Sequence, residues 1–267
     1  MKQKILIIVD PQNDFIEGGS LAVEGARKAM DNLTKHLQAR SGDYDHIYVS
    51  LDTHNPTNLG FKMNWLGPGL DKIVPCQPFP MEAIKSGEIY PRFKYTRDQD
   101  VATVLKQPDF TAWPPHCLKG TPGHDIYGPL ENVLAQLKDK VTFMTKGEDD
   151  ARDNYSIFHY GDRGLTRYGE NFSLWDKRYD NPDIYIAGLA LDYCVFETVK
   201  SLQEISQNGT YTLLVSMGAS IREQEVVTRL YESLKRKVEI KLWQLEGSED
   251  GSLGLIPVLS SMNNPSR

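Results

Sequence analysis

Apolar residues along this chain fall into two recurring patterns, short unbroken runs and longer stripes at helical spacing. Ile5 to Val9 form the first run, which Asp10 closes. It predicts a buried strand over Lys4–Val9. Ala26, Met30, Leu33 and Leu37 follow at i, i+4, i+7 and i+11 and predict an amphipathic helix. Further runs predict strands over 46–51, 141–145, 183–187, 211–215 and 238–242. Val195, Val199, Leu202 and Ile205 give a second helical stripe that stops at Asn208-Gly209, and Val226, Leu230 and Leu234 give a third. Strands separated by helices require right-handed crossovers, hence a mostly parallel sheet covered on both faces. The expectation is one α/β domain over 1–267, a three-layer α/β/α sandwich around a roughly six-stranded sheet.

Two segments break the alternation and are expected as insertions. Residues 62–110 carry six prolines and several aromatics without a clear period, and 161–180 mix glycine, charge and aromatic residues. Segments of this kind serve as lids, binding loops or subunit contacts, or as surface decoration. From Ser248 the chain is rich in Gly, Ser, Asn and Pro, a composition that predicts fraying.

Composition narrows the class without naming a chemistry. The net charge of −6 gives no electrostatic footprint for nucleic acid and little attraction to anionic membranes. The first apolar run is too short for a signal peptide, and no later one approaches a membrane span. The three cysteines, Cys76, Cys117 and Cys194, cannot all pair and form no Cys-x-x-Cys metal motif. The expected setting is the reducing cytoplasm.

Polar residues at the predicted strand ends carry more. In doubly wound sheets the site lies beyond the C-terminal strand edge. Asp10, Asp52 and Lys146 each follow a predicted strand, and Cys194 sits where the 183–187 strand turns into a helix. Free N–H groups and the helix dipole favour a thiolate there, making Cys194 a candidate nucleophile. A buried structural cysteine fits the same local pattern. In Asp52-Thr53-His54, residues at i and i+2 of an extended segment point the same way and could share a metal ion, with His116 as a third ligand. An ordinary loop histidine at His54 satisfies that spacing equally well.

Taken together, these residues resemble the nicotinamidase branch of the isochorismatase-like cysteine hydrolases. The likeness rests on Asp10-Pro11-Gln12-Asn13-Asp14-Phe15, Asp52-Thr53-His54, Trp113-Pro114-Pro115-His116, Lys146-Gly147, Tyr155-Ser156-Ile157-Phe158 and Gly188 to Cys194, in the family's order. The resemblance implies an amidohydrolase that deamidates nicotinamide to nicotinate and ammonia through a thioester, in NAD salvage, with pyrazinamide as a surrogate. It implies Cys194 as nucleophile, Asp10 as base and Lys146 as the cation between them. The oxyanion would rest on N–H groups of Ala190 and Cys194, with a cis bond between Leu189 and Ala190. Phe15, Trp113 and Tyr155 would wall the substrate ring, although ordinary packing also accounts for aromatics of this kind. One divalent ion on Asp52, His54 and His116 is implied, zinc first, with iron or manganese also suited. A second copy of the chain is an expected partner, since such hydrolases are commonly homo-oligomers.

The chain departs from the family pattern at Asn58, where many nicotinamidases carry another histidine, and at Leu191, where threonine is frequent. Asn58 could offer its carbonyl oxygen, act through a water, or leave three protein ligands. Two other functions stay open at this point: a cysteine hydrolase of another carboxamide or ureido compound, and a non-catalytic binding member.

Overall fold

A computed structural model describes residues 2–94, 96–107, 109–152, 154–158, 179, 181–205, 209–222, 224–234, 243–247 and 253–257. Five parallel strands form the central sheet: β1 (Lys4–Val9), β2 (His46–Asp52), β5 (Val141–Lys146), β6 (Asp183–Leu189) and β7 (Thr210–Ala219). Their order is β5-β2-β1-β6-β7. The chain therefore winds outward from β1 in both directions, and the order reverses at β1.

Side-chain alternation divides the core into two layers. Leu6 and Ile8 of β1, with Ala187 and Leu189 of β6, pack on one face against α1 (Ala26–Arg40) and α4 (Gly128–Gln136). Ile5, Ile7 and Val9, with Ile184 and Ile186, pack on the other against α5 (Cys194–Ile205) and α6 (Gln224–Glu232). Each helix lies where its stripe requires: Met30, Leu33 and Leu37 of α1 and Val195, Val199 and Leu202 of α5 are fully buried. The expected three layers are present.

Several elements differ from the sequence expectation. Helix α4 is not anticipated above. The expected sheet strand over 238–242 lies outside the described residues. Just beyond it, β8 (Trp243–Gly247) pairs antiparallel with β9 (Leu253–Pro257) in a separate ribbon, so part of the polar tail is ordered by pairing.

Residues 62–110 have a core of their own. Strands β3 (Trp65–Leu66) and β4 (Tyr90–Pro91) pair antiparallel, beside two short helices, α2 (Met81–Lys85) and α3 (Asp98–Val104). Trp65, Phe79, Ile84, Val104 and Phe110 are buried together, with Ala151 from the main body closing the cluster. Apart from Tyr179, the segment 161–180 falls largely outside the described residues.

Candidate active site and metal centre

The topological reversal at β1 brings four strand ends side by side. Asp52 and Lys146 are register partners at the ends of β2 and β5. Val9 pairs with Gly188, so Asp10 and the turn into α5 share the same edge. Gly188 has φ 122, and a Cβ there would collide with the Val9 carbonyl oxygen. Only glycine lets β1 and β6 approach this closely. Asp10 adopts φ 47, a left-handed conformation unusual for aspartate, and is fully buried. Ser50 holds it from both sides: its Oγ accepts from the Asp10 N–H at 3.0 Å and donates to Asp10 Oδ1 at 2.6 Å.

Lys146 is the hub. Its ammonium lies 2.8 Å from Asp10 Oδ2, 3.1 Å from Asp52 Oδ1 and 3.4 Å from Cys194 Sγ. Burial opposes the charge on Lys146, but Asp10, Asp52 and the Cys194 sulfur outweigh it and hold the ammonium well above its usual range. Burial likewise works against ionised Asp52, yet His54 and Lys146 keep it well below the usual carboxylate range. Asp10 moves the other way. Burial raises it, Lys146 pulls it down, Asp52 pushes it up, and the net direction is upward.

Cys194 is the first residue of α5 and is buried. Burial pushes its thiol well above the ordinary value; Lys146 opposes this, but the Asp10 and Asp52 carboxylates reinforce it. Burial and the two carboxylates thus oppose ionisation of the thiol, while Lys146 and the helix terminus favour it. Asp10, which bears on the thiol and is more basic than an ordinary carboxylate, is placed to take its proton.

The turn before Cys194 presents free donors. Leu191 N–H donates to Ala219 O at 2.8 Å, and the N–H groups of Tyr193 and Val195 both donate to Ala190 O at 3.1 Å. Among the described residues, no main-chain carbonyl takes the N–H of Ala190 or Cys194. The Leu189–Ala190 peptide is cis.

Asp52 links this cluster to a second one. Its Oδ2 lies 2.9 Å from His54 Nε2 and 3.4 Å from His116 Nε2. Each imidazole donates through Nδ1 to a main-chain carbonyl, His54 to Gly147 at 2.9 Å and His116 to Pro114 at 2.8 Å. Those bonds fix the tautomer and leave both Nε2 lone pairs facing the carboxylate. The three ligand atoms lie within 4.8 Å of one another. Three acceptors converging on one point, two of them on buried residues, repel each other unless a proton or a cation lies between them. Two imidazoles and one carboxylate are the donor set of a divalent transition-metal site with open positions, so the residues fit the implied ion. Gly147 is required beside them, because a Cβ there would come within 2.8 Å of the His54 ring.

Asn58 Oδ1 accepts from the Gly60 N–H at 2.7 Å, and its amide nitrogen faces His54 Nδ1 at 3.3 Å.

Phe15, Trp113 and Tyr155 line one pocket together with the metal-ligand residues and Cys194. Tyr193 completes the aromatic wall, its ring 5.1 Å from Trp113 and 5.7 Å from Tyr155 between centroids. Arg222 stacks on the other side of Tyr193 and donates to its hydroxyl at 2.8 Å. Asp192 anchors that loop by accepting from the N–H groups of Ile221 and Arg222. Sequence reasoning did not single out Ser50, Phe61, Asn154 or Arg222. Only Ser50 carried a signal, a hydroxyl inside an otherwise apolar central strand.

A model of the isochorismatase domain family matches residues 4–205. The chain belongs to that family. The nicotinamidase/pyrazinamidase of Mycobacterium tuberculosis is 27% identical over 238 residues, covering 89% of this chain and 97% of that protein. Two solved structures share the fold of this isochorismatase-family chain. The yeast nicotinamidase bound to the inhibitor nicotinaldehyde has a TM-score of 0.62 at 23% identity, covering 87% of this chain and 96% of that one. The pyrazinamidase of Pyrococcus horikoshii in complex with zinc has a TM-score of 0.55 at 19% identity, covering 87% and 94%.

Proposed function

We propose that this protein is a metal-dependent cysteine amidohydrolase that converts nicotinamide to nicotinate and ammonia. The observation that carries the reading is the position of Lys146, ion-paired with Asp10 and Asp52 and 3.4 Å from Cys194 Sγ. A binding protein has no need of a nucleophile, base and cation so arranged, and the nicotinamidase relatives supply the substrate. We read 1–267 as one isochorismatase-like domain with 62–110 and 161–180 as insertions.

In the proposed reaction, Cys194 Sγ attacks the carboxamide carbon as its proton passes to Asp10. The carbonyl oxygen becomes an oxyanion held by the N–H groups of Ala190 and Cys194. Lys146 remains an ammonium throughout and limits the charge cost of each step. Asp10 then protonates the departing nitrogen, ammonia leaves and a thioester remains. Water attacks the thioester while giving a proton to Asp10. The second intermediate expels sulfur, which recovers that proton, and the carboxylic acid product leaves, giving up its remaining proton to solvent as nicotinate. Phe15, Trp113, Tyr155 and Tyr193 clamp the flat ring, fixing the carbon near sulfur. Asp52, His54 and His116 would hold one divalent ion, which supplies a Lewis acid for the pyridine nitrogen. Zinc is proposed first, supported by the donor set and by the zinc-bound pyrazinamidase of the same fold.

No helix among the described residues is long and apolar enough to cross a membrane. All three cysteines are free, as a reducing compartment would keep them, and we read the enzyme as cytoplasmic. Assembly into a homo-oligomer belongs to the same proposal and is checked by light scattering.

The direct test is ammonia release from nicotinamide by purified protein, before and after chelation. Turnover is expected, with at least about a tenfold fall on chelation and recovery with added zinc, as for loss of a metal that orients substrate. His116→Ala should lower bound metal in the same assay by removing one of three ligands. Unchanged metal content in that variant would overturn its role as ligand.

A further inference from the structure

We infer that Asn154 reads the amide nitrogen of the substrate: its Oδ1 accepts a hydrogen bond from the –NH2 of a bound primary carboxamide. This rests on the amidase reading above and extends it to specificity.

Most polar groups around the pocket already have partners. Asp52, His54 and His116 face one another, and Asn58 Oδ1 is taken by Gly60. The Tyr155 hydroxyl accepts from Trp113 Nε1 at 3.2 Å, and the Tyr193 hydroxyl accepts from Arg222. Cys194 is in contact with Lys146. Asn154 lines the same pocket, and its Oδ1 is buried with no hydrogen-bond partner among the described residues. Buried acceptors in native proteins find a donor, and Asn154 Oδ1, on a residue that borders the pocket, has none until a ligand supplies it. Of the other buried polar atoms without a hydrogen-bond partner among the described residues, Asp10 Oδ2 is ion-paired with Lys146, and those on His36, Asn64, Asn181 and Thr198 do not line this pocket.

A bound carboxamide has the matching need. Its carbonyl oxygen goes to the Ala190 and Cys194 N–H groups in the proposed mechanism, and its ring nitrogen faces the metal ligands. Its –NH2 group brings two further donors that require acceptors. Asn154 Oδ1 can only accept. Hydrolysis replaces that –NH2 by a carboxylate oxygen, which is itself an acceptor, so the same contact that favours the amide disfavours the acid. Asn154 thereby selects substrate over ester and over product.

The experiment compares nicotinamide with methyl nicotinate, whose leaving group has no N–H, in wild type, Asn154→Leu and the smaller Asn154→Ala. Melting curves confirm that the variants fold. For Asn154→Leu, kcat/KM on the amide should fall roughly tenfold or more, as for an unsatisfied buried hydrogen-bonding group, with the ester changed by less than about threefold. Inhibition by nicotinate should become stronger. Equal losses on amide and ester in both variants would overturn the inference, leaving Asn154 as a residue that only shapes the pocket. If wild type releases no ammonia from nicotinamide, the nicotinamidase reading fails first. The same comparison then runs on other primary carboxamides and their methyl esters. Equal loss within each pair, or no turnover of any carboxamide, would overturn the inference as well.

Discussion

Cys194→Ala is expected to reduce ammonia release from nicotinamide by at least about 10,000-fold, the scale on which removing a covalent nucleophile acts. The fold should survive. The lost sulfur is a small group, and Val195, Val199 and Leu202 keep α5 packed on the sheet. The change also removes a buried thiol that two carboxylates push upward, so thermal stability should move by no more than about 1 kcal/mol. Mass spectrometry supplies a second readout: wild type quenched during turnover should carry an acyl adduct on Cys194, and the variant none. Cys76→Ala is the matched control, since Cys76 lies in the 62–110 segment and does not line the pocket that holds Cys194, and it should leave turnover unchanged. Appreciable ammonia release by Cys194→Ala, or an adduct on another cysteine, would sink the nucleophile assignment.

The parts of this fold legible in sequence are those whose signal is local. Central parallel strands are buried on both faces, so β1 and β6 read as unbroken apolar runs, and α1 and α5 reveal themselves by stripes of three or more turns. The strand-end positions of Asp10, Asp52, Lys146 and Cys194 follow once those strands are placed. Helix α4 was hidden because its stripe is only Leu130, Val133 and Leu134, within nine residues that open on Gly128-Pro129. The small core of 62–110 was hidden for a related reason. Trp65, Phe79, Ile84, Val104 and Phe110 come from elements too short to establish a period.

Protonation was illegible for a different reason. A helix terminus beside Cys194 is visible in the sequence, but Asp52 bearing on the same sulfur is a tertiary fact. Asn58 is similar, because the Gly60 N–H that its Oδ1 accepts is visible only in the folded chain. Asn154 gave no signal, being one polar residue in a polar loop until the pocket closes around it.

Lys146→Met should be the most informative structural change, because it removes the one cation that both carboxylates share. Asp10 and Asp52 would then face each other, buried, without the ammonium at 2.8 and 3.1 Å. Breaking a buried ion pair by removing one partner costs roughly 3–5 kcal/mol. The carboxylate that responds is Asp10, already raised by burial, since losing Lys146 removes the main force pulling it down. With its folded value further above its unfolded one, Asp10 stabilises the variant at low pH and loses that contribution as pH rises through the folded value. The stability deficit against wild type should therefore be smallest near pH 5 and widen toward pH 8, which calorimetry across that range measures. Catalysis should fail in the same direction, since a protonated Asp10 cannot accept the Cys194 proton. Turnover should drop about a thousandfold or more at neutral pH, within the range for removing a general base and its electrostatic support. Lys146→Arg keeps the charge and should recover much of the stability while recovering little activity, because a planar guanidinium cannot hold the same three contacts. A Lys146→Met deficit that does not change with pH would mean that Asp10 is not the group Lys146 controls, and the base assignment would have to move.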